Sequence, residues 1–131
     1  ETANIYRAAH AFNSPPRWFS ANHRLRNEKL VNQQPFEKGF IHIDNPNVVL
    51  STLKRSDAID GAKDGLIVRV FNPTDAPQKA KIFVGLKTKF IKSVNLLEQD
   101  LEDLTFKKVD NDSFLEIQIL PYKILTIRLE F

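Results

Sequence analysis

Cysteine is missing from this 131-residue chain, which excludes disulfides and thiolate chemistry. Methionine is missing too, and the chain begins Glu1-Thr2-Ala3, so we expect a piece or a processed product of a longer protein. Four glycines leave no phosphate-cradling loop, no dinucleotide fingerprint and no Gly-x-Ser-x-Gly elbow. No apolar run approaches the roughly 20 residues that cross a bilayer, and no signal-peptide core is present, so no membrane partner is expected. Charge of one sign is also scarce. Nineteen basic residues against 16 acidic ones give +3, spread thinly along the chain. That balance argues against a nucleic-acid partner or an anionic membrane. Lack of cysteine fits a reducing, cytoplasmic setting.

What is present is enough for a core. Hydrophobic residues make up 42% and include ten Phe. A domain this small buries about two-thirds of its unfolded surface. The texture changes near Gly39, which divides the chain into residues 1–39 and 40–131. In the first part Ile5, Ala8, Ala9 and Phe12 have helical spacing, and Asn13-Ser14-Pro15-Pro16 stops the run. The polar, basic stretch that follows reads as an extended arm connecting to a preceding region.

From Phe40 onward, short strands alternate with turn signals, the pattern of an all-β antiparallel sandwich with about seven or eight strands. Phe40–Ile43 and Val48–Leu53 flank the turn cluster Asp44-Asn45-Pro46-Asn47. Leu66–Phe71 is apolar on both faces except at Arg69, which predicts a central strand buried on two sides. In the next strand Ala80, Ile82, Val84 and Leu86 point inward, with Lys79, Lys81 and Lys87 outward. Phe90–Leu97 follows, then a polar connection from Glu98, a weaker strand over Leu104–Val109 and a hairpin turn at Asp110-Asn111-Asp112. Leu115, Ile117 and Ile119 alternate with Glu116 and Gln118. Leu125, Ile127, Leu129 and Phe131 alternate with Thr126, Arg128 and Glu130.

Catalytic groups are hard to find. His10, His23 and His42 lack the short spacing of zinc ligands, and no metal site is expected. Asp57, Asp60 and Asp64 lie in an acidic loop whose spacing fails the EF-hand pattern. Acidic residues fall in turns and on outward strand positions, with no pair marked for glycosidic acid–base work. Lys79, Lys81, Lys87, Lys89 and Lys92 would decorate one solvated face, where Phe83 alone offers a stacking ring. Arg69 calls for a partner, either a structural ion pair, an inter-domain contact or a neighbouring active site. Trp18-Phe19 reads as an apolar anchor, or alternatively as a sugar-stacking platform. Asn111-Asp112-Ser113 matches a glycosylation sequon but reads as a turn.

Four ordered motifs carry a resemblance. They are Asp44-Asn45-Pro46-Asn47-Val48-Val49-Leu50-Ser51 with Lys54, Gly65–Asn72 followed by Pro73, Asn95-Leu96-Leu97-Glu98, and Pro121 with Ile124, Thr126, Arg128 and Leu129. Together they resemble the C-terminal β-sandwich region of glycoside hydrolase family 38, the α-mannosidases. The resemblance implies a non-catalytic accessory sandwich whose partner is its own catalytic domain. It further implies that zinc and the Asp nucleophile of a retaining α-mannosidase reside in that catalytic domain, with no cofactor held here. No catalytic residue carries over. Arg69 matches the Arg of the second motif and is expected to face another domain or an active site. The alternative is an autonomous carbohydrate-binding module that takes mannosides, using Trp18.

Overall fold

Side-chain alternation decides which side of a strand enters a core, and Gln78–Val84 (β4) shows this most plainly. Ala80, Ile82 and Val84 are buried while Lys79, Lys81 and Phe83 are exposed. The computed structural model describes residues 2–13, 15, 39–57, 65–109 and 112–131. Besides β4 these form a helix α1 (Thr2–Asn13) and the strands β1 (Ile41–Ile43), β2 (Val49–Arg55), β3 (Gly65–Phe71) and β5 (Phe90–Val94). The later strands are β6 (Asp100–Asp103), β7 (Lys107–Val109), β8 (Asp112–Ile119) and β9 (Ile124–Glu130).

All pairings are antiparallel, in two sheets ordered β1-β4-β8-β7 and β2-β3-β9-β5-β6. The all-β sandwich is therefore as the alternation predicts. Val68, Val70, Ile91, Ile127 and Leu129 from the larger sheet meet Ala80, Ile82, Val84, Leu115, Ile117 and Ile119 from the smaller one. Burying each large aliphatic side chain contributes about 1.5–3 kcal/mol, so this layer dominates the stability of the fold. Strand β3 lies between β2 and β9, with Ile67, Val68 and Val70 at most 1% exposed, as its apolar run requires.

Several local expectations change. The stretch from Asp100, read as a polar connection, forms the edge strand β6, with all four residues exposed. Edge strands tolerate charge on both faces, so alternation gave no sign of it. The strand expected over Leu104–Val109 narrows to β7, and the one over Phe90–Leu97 ends at Val94. Strand β9 is buried on both faces, because Thr126, Arg128 and Glu130 are covered as well as the apolar residues. The helix begins as its spacing predicts, yet Ile5 and Phe12 stay exposed; Tyr6 makes its ring contact, edge-on to Phe71 at 6.0 Å.

The two sheets are tied where β3 ends. Asn72 is fully buried. Its Nδ2 donates to the carbonyls of Ala76 (2.8 Å), Ile119 (3.1 Å) and Leu120 (3.2 Å). Its Oδ1 accepts from the Thr74 amide and hydroxyl, at 2.9 and 2.7 Å. Pro73 follows with fixed φ and no donor, which holds the chain as it turns toward the other sheet. One side chain thus joins the end of β3 to the end of β8. Asn72→Ala should lower the unfolding free energy by about 2–4 kcal/mol, since a buried amide and its several bonds to backbone are lost together. Asn72→Asp should cost at least as much near neutral pH, because a carboxylate oxygen would face those carbonyls. Urea unfolding of the three proteins checks this; a near-silent Asn72→Asp would refute it.

Candidate functional site

A cation set among apolar strands must find partners, and Arg128 on β9 finds several. It is 3% exposed. One guanidinium nitrogen bonds Asp100, and the same nitrogen reaches Glu130 at 3.1 Å. Another donates to the backbone carbonyl of Glu98 at 3.1 Å. Glu98 lies after the β5–β6 turn at φ 64°, a left-handed value that costs a non-glycine residue strain. Asn95 holds that turn in place, its Oδ1 accepting from the amides of Leu97 (2.9 Å) and Gln99 (3.0 Å).

The strained backbone turns the Glu98 carboxylate across the outer face of the larger sheet. There it meets Lys54 Nζ on β2 at 2.6 Å and accepts from the Asp57 amide at 2.7 Å. Lys54 also bonds Asp57 at 2.6 Å. On the other side Lys92 on β5 joins Asp100 at 2.9 Å and Asp103 at 3.5 Å. The result is a charged lattice over an outer sheet face, with Ile67 sealed completely. Lys54, Glu98 and Arg128, each from a different motif singled out in the sequence, meet here. Sequence reasoning did not bring them together, because it could not supply the strand register.

Ionisation follows from these contacts. Burial pushes the Asp100 carboxyl up, but the Lys92 hydrogen bond and the Arg128 charge outweigh it and hold it below its ordinary 3.8. Hydrogen bonds to Asp57 and then Glu98 hold the Lys54 ammonium above its ordinary 10.5. The bond to Asp100 does the same for Lys92. Such groups are locked in their charged forms. A general acid needs the opposite, a carboxyl raised toward neutral pH.

Arg69 lies one row along the same face. It is half-buried, and its Nε donates to Thr126 Oγ1 at 3.1 Å. Among the described residues no carboxylate comes within ion-pair range of it, so the structural ion pair of β9 belongs to Arg128 instead. Trp18 and His23 lie outside the described residues, as do residues 58–64 of the acidic loop and Asn111 of the sequon. His42 sits on β1 against the Phe83 ring, while Asp44 accepts from the Lys81 amide at 2.7 Å. Among the described residues no three His, Asp or Glu side chains gather where they could hold a metal ion.

The lysines do not share one face. Lys79 and Lys81 stand on the outer side of the smaller sheet, Lys92 on the larger, and Lys89 Nζ donates to the Phe131 carbonyl at 3.2 Å. Nor is Phe83 alone. Register places His42, Phe83 and Phe114 side by side, with ring centroids 5.8 and 6.0 Å apart. Phe114 begins the β8 alternation, and its place opposite Phe83 emerges only from the pairing.

Removing Arg128 should cost far more than any exposed pair. Arg128→Ala takes away the cation that Asp100 and Glu130 share, and should destabilise by about 3–5 kcal/mol. The paired change Arg128→Met with Glu130→Leu should recover much of that loss in chemical unfolding. Asp100, held low, adds stability above pH 3.8 that disappears as pH falls through its folded value. Lys54 and Lys92, held high, add stability below pH 10.5 that disappears as pH rises through theirs. A melting-temperature profile should therefore be highest between these limits, and Asp100→Asn should flatten its acid limb.

Comparison with known proteins agrees with the motif order. No curated protein matches the chain. The family model described as "Glycosyl hydrolases family 38 C-terminal beta sandwich domain" matches residues 47–127, from β2 into β9, which takes in Lys54, Lys92, Glu98 and Asp100 and stops one residue before Arg128. The chain belongs to the glycosyl hydrolase family 38 C-terminal β-sandwich domain family.

Proposed function

We propose that this chain is the non-catalytic accessory sandwich of a retaining, zinc-dependent α-mannosidase, and that it serves by docking on the catalytic domain. The observation that carries this reading is the lattice itself. Its carboxylates Glu98, Glu130 and Asp100, the first two buried, are engaged with Lys54, Arg128 and Lys92. They hold the sheet together, and no two of these three form a free pair that could divide acid and base roles. In this reading the zinc and the nucleophile belong to the catalytic domain.

Arg69, on this face, has hydrogen-bonding capacity to spare and no carboxylate partner among the described residues. Thr126 takes one donor of its guanidinium fork, and the side chain is only half-buried. It is our candidate for contact with the catalytic domain.

The assay is direct. The 131-residue chain with added zinc should not turn over an aryl α-mannoside, and turnover would overturn the accessory reading. Arg69→Ala should change the stability of the chain by less than about 1 kcal/mol, because a single hydrogen bond to a neutral hydroxyl is lost. In the whole enzyme the same change should weaken domain docking, read as a lowered first unfolding transition. Equal behaviour of both enzymes would remove Arg69 from the interface.

A further inference from the structure

The outer face of the smaller sheet has a composition that the lattice does not explain. His42, Phe83 and Phe114 form a row across β1, β4 and β8, and Lys107 lies over the far ring, 5.9 Å from its centroid. Phe83 is 38% exposed and His42 is exposed. Aromatic rings on an outer sheet face gain little from burial, so stability alone does not call for them. In the next row along the strands, Lys81 and Glu116 stand opposite each other, Nζ and Oε1 3.8 Å apart. Beside them is a shallow depression of about 400 Å³, lined by Asp44, Lys79, Lys81, Glu116 and Gln118.

We propose that this face binds a neutral glycan chain. Rings His42, Phe83 and Phe114 form the stacking surface, and Lys81 and Glu116 bind the hydroxyls. The proposal rests on family membership and not on the mannosidase reading.

A pyranose ring has two chemically different parts. Its C–H faces are apolar, with slightly positive hydrogens that suit the negative face of an aromatic ring. Its rim carries neighbouring hydroxyls, each both donor and acceptor. An ammonium that only donates and a carboxylate that only accepts, side by side, satisfy two such hydroxyls at once. The depression's volume falls within the range of small-ligand sites. The rings do not line it but stand one row along the strands, so a chain of sugars would reach from one to the other. A row of rings, as opposed to one ring, suits a chain of sugars.

Charge argues against the other ligand that stacks on aromatics. A single-stranded nucleic acid needs a positive track for its phosphates. Here Glu116 pairs with Lys81 and Asp44 borders the same depression, so Lys79 and Lys107 are interrupted by carboxylates and form no continuous positive track. The family supplies the remaining argument, since a glycosyl hydrolase works on glycans.

Calorimetric titration of the full chain with α-manno-, cello- and xylo-oligosaccharides tests the proposal. Saturable binding to at least one is expected, weakened about five-fold or more by Phe83→Ala. The surface pair Lys81→Ala with Glu116→Gln should weaken it similarly while leaving the circular dichroism spectrum unchanged, which separates lost binding from lost fold. Binding of a cello- or xylo-oligosaccharide in place of an α-mannoside would support the platform and count against the mannosidase reading. The proposal is overturned by no binding to any neutral oligosaccharide, by binding that survives both variants, or by salt-sensitive retention on heparin or single-stranded DNA alone.

Discussion

Arg128 sets the terms for the larger sheet. Strand β9 is its middle element, covered on both faces, and a guanidinium at that depth cannot be left without counter-charge. Meeting that need draws in Asp100 from the edge strand, Glu130 from the same strand, and the carbonyl of Glu98 from the turn between β5 and β6. Each recruit brings its own requirement. Asp100 takes Lys92 as a second cation, and Glu98 carries its carboxylate over to Lys54. An exposed pair such as Lys81–Glu116 is worth about 0–1 kcal/mol, whereas breaking a buried one costs several times more. The strained φ of Glu98 is thus sustained by a lattice that only that conformation completes.

A second constraint governs how the chain turns between strands. Asn45, Asn72 and Asn95 each accept a backbone N–H two residues ahead, which closes a turn without help from a ladder. Asn72 differs from the other two in depth, because its amide reaches carbonyls of the opposite sheet's last strand. Gly65, at the start of the same β3, answers a different demand. A β-carbon there would run into the Leu129 carbonyl, so β3 and β9 can approach only if the residue has no side chain. Both ends of β3 are therefore fixed by residue type, one by a hydrogen-bonding amide and the other by absent volume.

How far the sequence could be read depends on whether a feature repeats with period two. Ala80, Ile82 and Val84, and again Leu115, Ile117 and Ile119, announce their face by alternation, and they lie where alternation puts them. Strand β6 breaks the rule because Asp100–Asp103 has polar residues on both sides and pairs with one neighbour only. The lattice was illegible for another reason. Lys54, Glu98 and Arg128 are each unremarkable in isolation, and what joins them is register, including a bulge at Ser51 and another at Leu101. Arg69 interrupts an apolar strand, and a structural ion pair is one of three roles that position suggests for it, beside an inter-domain contact and an active site. The structure gives that pair to Arg128, which alternates with apolar residues and so passed for an outward group.

The two outer faces end up chemically distinct, and that difference bears on what the domain can do. On the larger sheet, carboxylates and cations neutralise one another, and Asp100 is held low by that neutralisation. Groups in that state resist proton transfer, so the face is suited to cohesion and to presenting Arg69. On the smaller sheet the charges are exposed and mixed in sign, and they border a row of rings in which His42 and Phe83 stay exposed while Phe114 is half-buried under Lys107. Binding a flexible polar ligand calls for that combination, since its polar groups then trade water for protein without the cost of a buried charge. A single sandwich can hold both properties because strand alternation insulates the faces from each other. The shared core of Ile, Val and Leu lets one face be locked while the other stays open.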